Sequence, residues 1–184
     1  MGNWCRTRWN YLFYNHEKIV YNKRVGRKSY STQKKVYIMV NKWDKRYLDL
    51  ASGVANWSKD PSSKIGAIAV GSKGQVLAQG YNGFPRGISD SFDRYANKDV
   101  KYKFVVHAEM NCIYNATYNG VSLDGATLYV HGLPVCSDCA KGIIQVGIKR
   151  VVMPLAEYPQ RWIESFAYSS ELFSEAGVDY EFIE

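Results

Sequence analysis

No apolar run in these 184 residues is long enough to cross a bilayer, which argues against a membrane-spanning helix and a membrane partner. A signal-peptide pattern is also missing, because charged and aromatic residues interrupt every apolar stretch near the N-terminus. Cysteine is scarce. Cys5, Cys112, Cys136 and Cys139 form no disulfide framework, and a cytoplasmic setting is expected. There is no internal repeat and no low-complexity segment. With 46% hydrophobic residues, the length suits one domain with a good-sized core.

Acidic side chains are nearly absent from the first 38 residues, where nine Lys or Arg face Glu17 alone for a net +8. Residues 39–184 carry fifteen basic and sixteen acidic side chains, net −1, so the whole basic excess belongs to the first segment. Interleaved Tyr, Trp, Lys and Arg without a clear period read as a solvated appendage. They also suit a grip on nucleic-acid or nucleotide phosphates. Met39 stands directly before the first helical pattern and is a candidate initiator, and initiation there would leave residues 1–38 as an upstream extension outside the native protein. The appendage or upstream extension is the preferred reading, and nucleic acid is not expected as a partner.

From residue 41 onward the patterning is regular. Lys42 to Ser58 places Trp43, Tyr47, Leu50, Ala51, Val54 and Ala55 on one helical stripe, and Pro61 breaks it. Residues 65–71 and 75–81 read as a hairpin around Ser72-Lys73-Gly74. Asn82 to Phe104 reads as one long loop, a length usually associated with function. A helix follows His107, a strand covers 126–131, and a second helix follows Cys136 and closes at Gly147. A strand at 149–153, a helix from Gln160 to Ala176 and a strand at 178–183 complete the order α-β-β-α-β-α-β-α-β, a layered α/β sheet with helices on its faces.

Two short stretches carry chemistry. His107-Ala108-Glu109 supplies an imidazole and a carboxylate, and Pro134-Val135-Cys136-Ser137-Asp138-Cys139 supplies two thiols. Each opens a helix, whose positive N-terminal end favours thiolate over thiol. Zinc takes nitrogen and thiolate ligands tetrahedrally, and a catalytic site leaves one of four positions to water. His107, Cys136 and Cys139 make that set for one Zn²⁺, while Cys5, His16, Cys112 and His131 lack the spacing for a second. Glu109 is placed to move protons rather than to bind metal. Taken singly, the histidine could be an ordinary core residue and the C-x-x-C a redox pair or half a zinc knuckle. The four residue types together at helix starts favour the metal reading.

These motifs resemble the signature of the zinc-dependent nucleoside and nucleotide deaminases. Val135 separates Pro134 from Cys136, whereas the usual motif has the proline directly before the cysteine. Asp60-Pro61-Ser62-Ser63-Lys64-Ile65-Gly66-Ala67, Gly80-Tyr81-Asn82-Gly83-Phe84-Pro85-Arg86-Gly87 and His107-Ala108-Glu109-Met110-Asn111 resemble the deoxycytidylate (dCMP) deaminase family, with Trp162, Ser165 and Ala176-Gly177-Val178 agreeing. The resemblance covers residues 42–184. It implies a cytidine-deaminase-like α-β-α layered fold with a central five-stranded mixed sheet flanked by helices. It further implies hydrolysis of dCMP to dUMP and ammonia for thymidylate synthesis, with Glu109 catalytic.

By the same resemblance, Asn82 contacts the sugar, the Ala108 N–H meets the pyrimidine carbonyl, and a main-chain carbonyl near Leu133 or Pro134 accepts from the amine. Many dCMP deaminases that this chain resembles are hexamers, activated by dCTP and inhibited by dTTP with Mg²⁺ at a site between subunits, which maps to Asn82, Gly83 and Arg86. Asn115 and Tyr118 stand where some relatives carry an aromatic residue and an arginine. Candidates for phosphate binding are Lys64, Arg86, Arg94, Lys98, Lys101 and Lys103. Alternatives are deamination of dCTP, a polynucleotide or tRNA base deaminase whose basic channel only residues 1–38 could supply, and a non-catalytic nucleotide sensor, against which Glu109 argues.

Overall fold

Five consecutive buried residues, Gly66–Val70, form strand β1, which is paired on both sides. A computed structural model describes residues 41–184; the basic segment 1–38 and Met39 lie outside the described residues. The other strands are β2 (Val76–Tyr81), β3 (Thr127–His131), β4 (Arg150–Pro154) and β5 (Asp179–Ile183). Their order is β2-β1-β3-β4-β5, with β1 antiparallel to β2 and β3, and β3, β4 and β5 parallel. The helices are α1 (Lys42–Ala55), α2 (Phe92–Ala96), α3 (Lys98–Phe104), α4 (Ala108–Tyr118), α5 (Ser137–Gln145) and α6 (Gln160–Ala176). The expected five-stranded mixed sheet flanked by helices is present.

Strand alternation sorts the core onto two faces. Ile68, Val70, Tyr129 and Val152 meet Leu48, Ala51 and Val54 of α1. Ala67, Ala69, Leu128, Val130, Val151 and Met153 face α4, α5 and α6 in the larger cluster. The helices sit close wherever the sheet offers a small residue. A Cβ on Gly80 would lie 2.2 Å from the Cys112 amide nitrogen and 2.5 Å from the Ala108 carbonyl oxygen, so only glycine lets the start of α4 rest on β2. In the register, Gly66 faces both Tyr81 and His131. The ends of β2 and β3 and the start of β1 therefore share one edge of the sheet, where α4 and α5 begin.

Two expectations are corrected here. The stretch 82–104 is not one long loop. Gly83 and Val106 exchange two backbone hydrogen bonds of 3.1 and 2.8 Å, and α2 and α3 lie between them. Asn97 caps α3 by accepting from the amides of Asp99 and Val100, and Phe84 stacks on Tyr95 with a ring separation of 4.3 Å. Helices of five and seven residues are too short to show an apolar period.

The buried stripe of α1 is also rotated. Trp43 and Leu50 are exposed, while Asp44 and Leu48 are buried. Asp44 turns inward because Arg150 grips it bidentately at 2.8 and 2.9 Å and the Tyr129 hydroxyl donates to it at 2.7 Å. Arg150 also donates to Glu181 at 3.0 Å, tying α1 to three strands.

The Arg150 guanidinium holds the Asp44 carboxyl below its ordinary range, against the opposing pull of burial. A depressed folded-state pKa contributes stability that is complete above the unfolded value of about 3.9 and disappears as pH falls through the folded value. Asp44→Asn is therefore expected to cost about 2–3 kcal/mol in urea unfolding at pH 7. The gap to wild type should close progressively below about pH 4. A gap unchanged down to pH 3 would show that the carboxylate charge contributes nothing.

Candidate active site

His107 and Cys136 are the N-cap residues of α4 and α5, and neither side chain caps its own helix. Both side chains are therefore free to face each other across the sheet edge. His107 Nδ1 lies 3.4 Å from Cys136 Sγ and 3.4 Å from Cys139 Sγ, and the three ligand atoms all fall within 4.8 Å of one another. Tetrahedral bonds of about 2.0 Å to nitrogen and 2.3 Å to sulfur would separate the two atoms by about 3.5 Å, so the donor set fits zinc in both chemistry and spacing. Among the described residues this is the one such group of three.

Cys112 lies in the core below, its thiol pushed up to about 12 by burial. His131, on β3, is held below the usual imidazole range by burial. Cys5 and His16 lie outside the described residues.

The three side chains, taken by themselves, already favour a thiolate. A hydrogen bond from Cys139 brings Cys136 down to about 4, with His107 helping. Its bond to Cys136 raises His107 to about 9, and the Cys136 sulfur together with burial pushes Cys139 up. A bound cation displaces those protons, which is how metal affinity couples to pH.

Glu109 occupies the first turn of α4 and is 4% exposed; burial raises its carboxyl, opposed by the His107 charge. Ala108, fully buried, is the first residue of α4, where backbone amides lack intrahelical partners. His107, Ala108, Glu109 and Cys136 line a cavity of about 290 Å³, and Asn82 lies on its wall.

Asn82 is more committed than expected. Its Oδ1 accepts from the Ile65 amide at 2.8 Å, and its Nδ2 donates to the Ser63 carbonyl at 2.8 Å and to Asp60 at 3.3 Å. Leu133 and Pro134 also line the cavity, while the Val135 carbonyl accepts from the Ser169 hydroxyl at 2.7 Å. The extra residue is thus absorbed into the core, with Val135 fully buried.

Of the basic candidates, Lys98 and Lys101 line the cavity; Lys64, Arg86, Arg94 and Lys103 do not. Arg86 instead bonds Asn115 and lies over the Tyr118 ring on the outer face of α4, away from the cavity residues. Arg94 donates to the Ser89 carbonyl at 2.9 Å. Arg161, at the start of α6, lines the cavity beside Trp162; it stands in none of the motifs, and its adjacency to Trp162 is the only local signal.

The family model described as the cytidine and deoxycytidylate deaminase zinc-binding region matches residues 41–155. The deoxycytidylate deaminase of Mus musculus is 40% identical over 143 residues, covering 75% of this chain and 78% of the mouse protein. A deaminase from the luxG 3′ region of Aliivibrio fischeri is 38% identical over 143 residues, covering 77% and 93%. The crystal structure of the dCMP deaminase of cyanophage S-TIM5 in complex with dCMP and dUMP superposes with a TM-score of 0.60 at 31% identity, covering 75% of this chain and 94% of that one. No described helix is long and apolar enough to cross a membrane. Fold, donor set and likeness converge: the chain belongs to the cytidine and deoxycytidylate deaminase family.

Proposed function

We propose that this protein hydrolyses dCMP to dUMP and ammonia, with His107, Cys136 and Cys139 as zinc ligands and Glu109 as the proton carrier. The observation that carries this reading is one cavity lined both by the His107, Cys136 and Glu109 cluster and by the cations Lys98 and Arg161. Reactive groups for a base and positive charge for a phosphate therefore share one site. When bound, zinc supplies Lewis acidity that brings the pKa of a water toward about 7.

The protein's own groups do the rest. Glu109 takes a proton from the attacking water and gives it to the ring nitrogen as the water oxygen bonds the amine-bearing ring carbon; it then moves the remaining hydroxyl proton to the amine, so that C–N cleavage yields ammonia and leaves a carbonyl. Its burial raises the carboxyl's affinity for a proton, which suits a group that must take one up and hand it on. The Ala108 N–H holds the pyrimidine carbonyl, and the main chain at Leu133 or Pro134 accepts from the amine. Asn82 accepts from the sugar.

Regulation belongs to the same proposal. Arg86, a few residues after Asn82 and Gly83 in the chain, bonds Asn115 and lies over the Tyr118 ring outside the cavity. The family resemblance at Asn82, Gly83 and Arg86 is what supports an effector nucleotide there, dCTP activating and dTTP with Mg²⁺ inhibiting within a hexamer, while Asn115 and Tyr118 depart from the residues some relatives carry and speak against it.

Ammonia release from dCMP, dCTP and deoxycytidine tests both parts. Preference for dCMP is expected, with rates at low substrate that rise with dCTP and fall with dTTP. Turnover insensitive to effectors would remove the regulation alone. No turnover of the three would overturn the activity and shift weight to a polynucleotide substrate.

A further inference from the structure

Lys101 is a cation in the wrong place for a solvated loop. It sits on α3, only 8% exposed, with its ammonium 2.7 Å from Asp60, whose carboxylate is 1% exposed. Asp60 also accepts from the Ser62 amide and hydroxyl at 2.9 Å each, from the Ser63 amide at 3.3 Å, and from Asn82 Nδ2 at 3.3 Å. Both donors of the Asn82 amide are thereby spent on Asp60 and the Ser63 carbonyl, while the Ile65 N–H requires an acceptor in return. Flipping the amide would set donor against donor and acceptor against acceptor. What Asn82 can offer the cavity is one lone pair on its oxygen, which only a donor can use.

We propose that Asp60 and Lys101 are positioning residues that lock Asn82 as an acceptor, and that the site thereby selects nucleotides bearing a sugar hydroxyl. The carboxylate is needed to hold the amide, and the ammonium is needed to keep that carboxylate ionised inside the wall. Lys101 also cancels a negative charge that would otherwise repel a nucleotide phosphate. Its place in the ion pair makes it part of the wall rather than a phosphate ligand. This inference rests on the proposed cytosine-nucleotide reading.

The test compares kcat/KM for dCMP with that for 2′,3′-dideoxycytidine monophosphate. Wild type is expected to prefer dCMP by about tenfold or more, as a site that pairs a hydroxyl does. In Asp60→Asn and Lys101→Met the preference should fall to about twofold or less, with KM for dCMP rising about tenfold and kcat moving less than about threefold. Lys101→Arg should restore most of the preference.

The double variant Asp60→Asn/Lys101→Met removes both buried charges, so it stays folded where Lys101→Met leaves a carboxylate unpaired. The double variant should show the same loss. A preference preserved in the folded double variant overturns the proposal. So does a rise in KM shared equally by the two nucleotides with their ratio kept, which would make Lys101 a phosphate contact. Should wild type turn over neither compound, the activity reading fails. Calorimetric binding of the same two nucleotides then decides the positioning role by the same ratio, and binding of neither overturns both.

Discussion

Glu109→Gln is expected to retain one zinc per chain and to lose about 10³- to 10⁴-fold in kcat for dCMP. The loss corresponds to about 4–5.5 kcal/mol on the barrier. Glu109 stands outside the set of three ligand atoms that lie within 4.8 Å of one another, so removing its charge does not remove a ligand. The amide has the shape of the carboxylate and cannot carry a proton between water, ring nitrogen and amine.

Thermal stability supplies the second readout. Burial raises the Glu109 carboxyl, which means that the folded state disfavours its ionised form. A neutral glutamine removes that penalty at pH 7, and the melting temperature should hold or rise while activity collapses. Metal content measured by mass spectrometry alongside ammonia release separates the two roles. Zinc lost in parallel with activity would make Glu109 a ligand or a fold determinant.

How far the sequence reaches depends on how far apart the cooperating residues lie. His107 and Glu109 are two apart, Cys136 and Cys139 three apart, and each pair opens a helix, so local spacing carries both. Strands that are short apolar runs, such as Val151, Val152 and Met153, all buried, are legible for the same reason. Asp44 and Arg150 are separated by 106 positions, and Asp60 and Lys101 by 41. Nothing in a window of one helix indicates that a carboxylate in the first turn of α1 will be buried, so the periodicity alone points to Trp43 and Leu50 instead. Among its neighbours in sequence Lys101 is one of several cations suited to a phosphate, and its partner Asp60 lies in another segment. The short helices α2 and α3 were invisible because their order comes from side-chain stacking and the Asn97 cap rather than from periodicity.

Cys139→Ser should bring zinc content below about one-tenth of wild type, since a serine hydroxyl is not a thiolate and zinc sites draw their affinity from deprotonated sulfur and nitrogen. Cys139 is 1% exposed, whereas Cys136 is half-buried. Solvent can therefore replace a missing sulfur less readily at position 139, and Cys136→Ser should be the milder variant.

The structural consequence follows from where the ligands sit. His107 opens α4 and Cys136 and Cys139 open α5, so a cation held between them fastens together two helix starts that otherwise meet through side chains alone. Binding free energy then appears as folding free energy, about 4 kcal/mol when free zinc exceeds its dissociation constant a thousandfold. Chelation should lower the melting temperature of wild type and leave that of Cys139→Ser unmoved, because the variant has no bound ion to lose. A Cys139→Ser protein with full zinc content would remove that cysteine from the ligand set. A wild type whose melting temperature ignores the chelator, with zinc verifiably gone, would show that the two helix starts hold together without the metal and that its role is confined to chemistry.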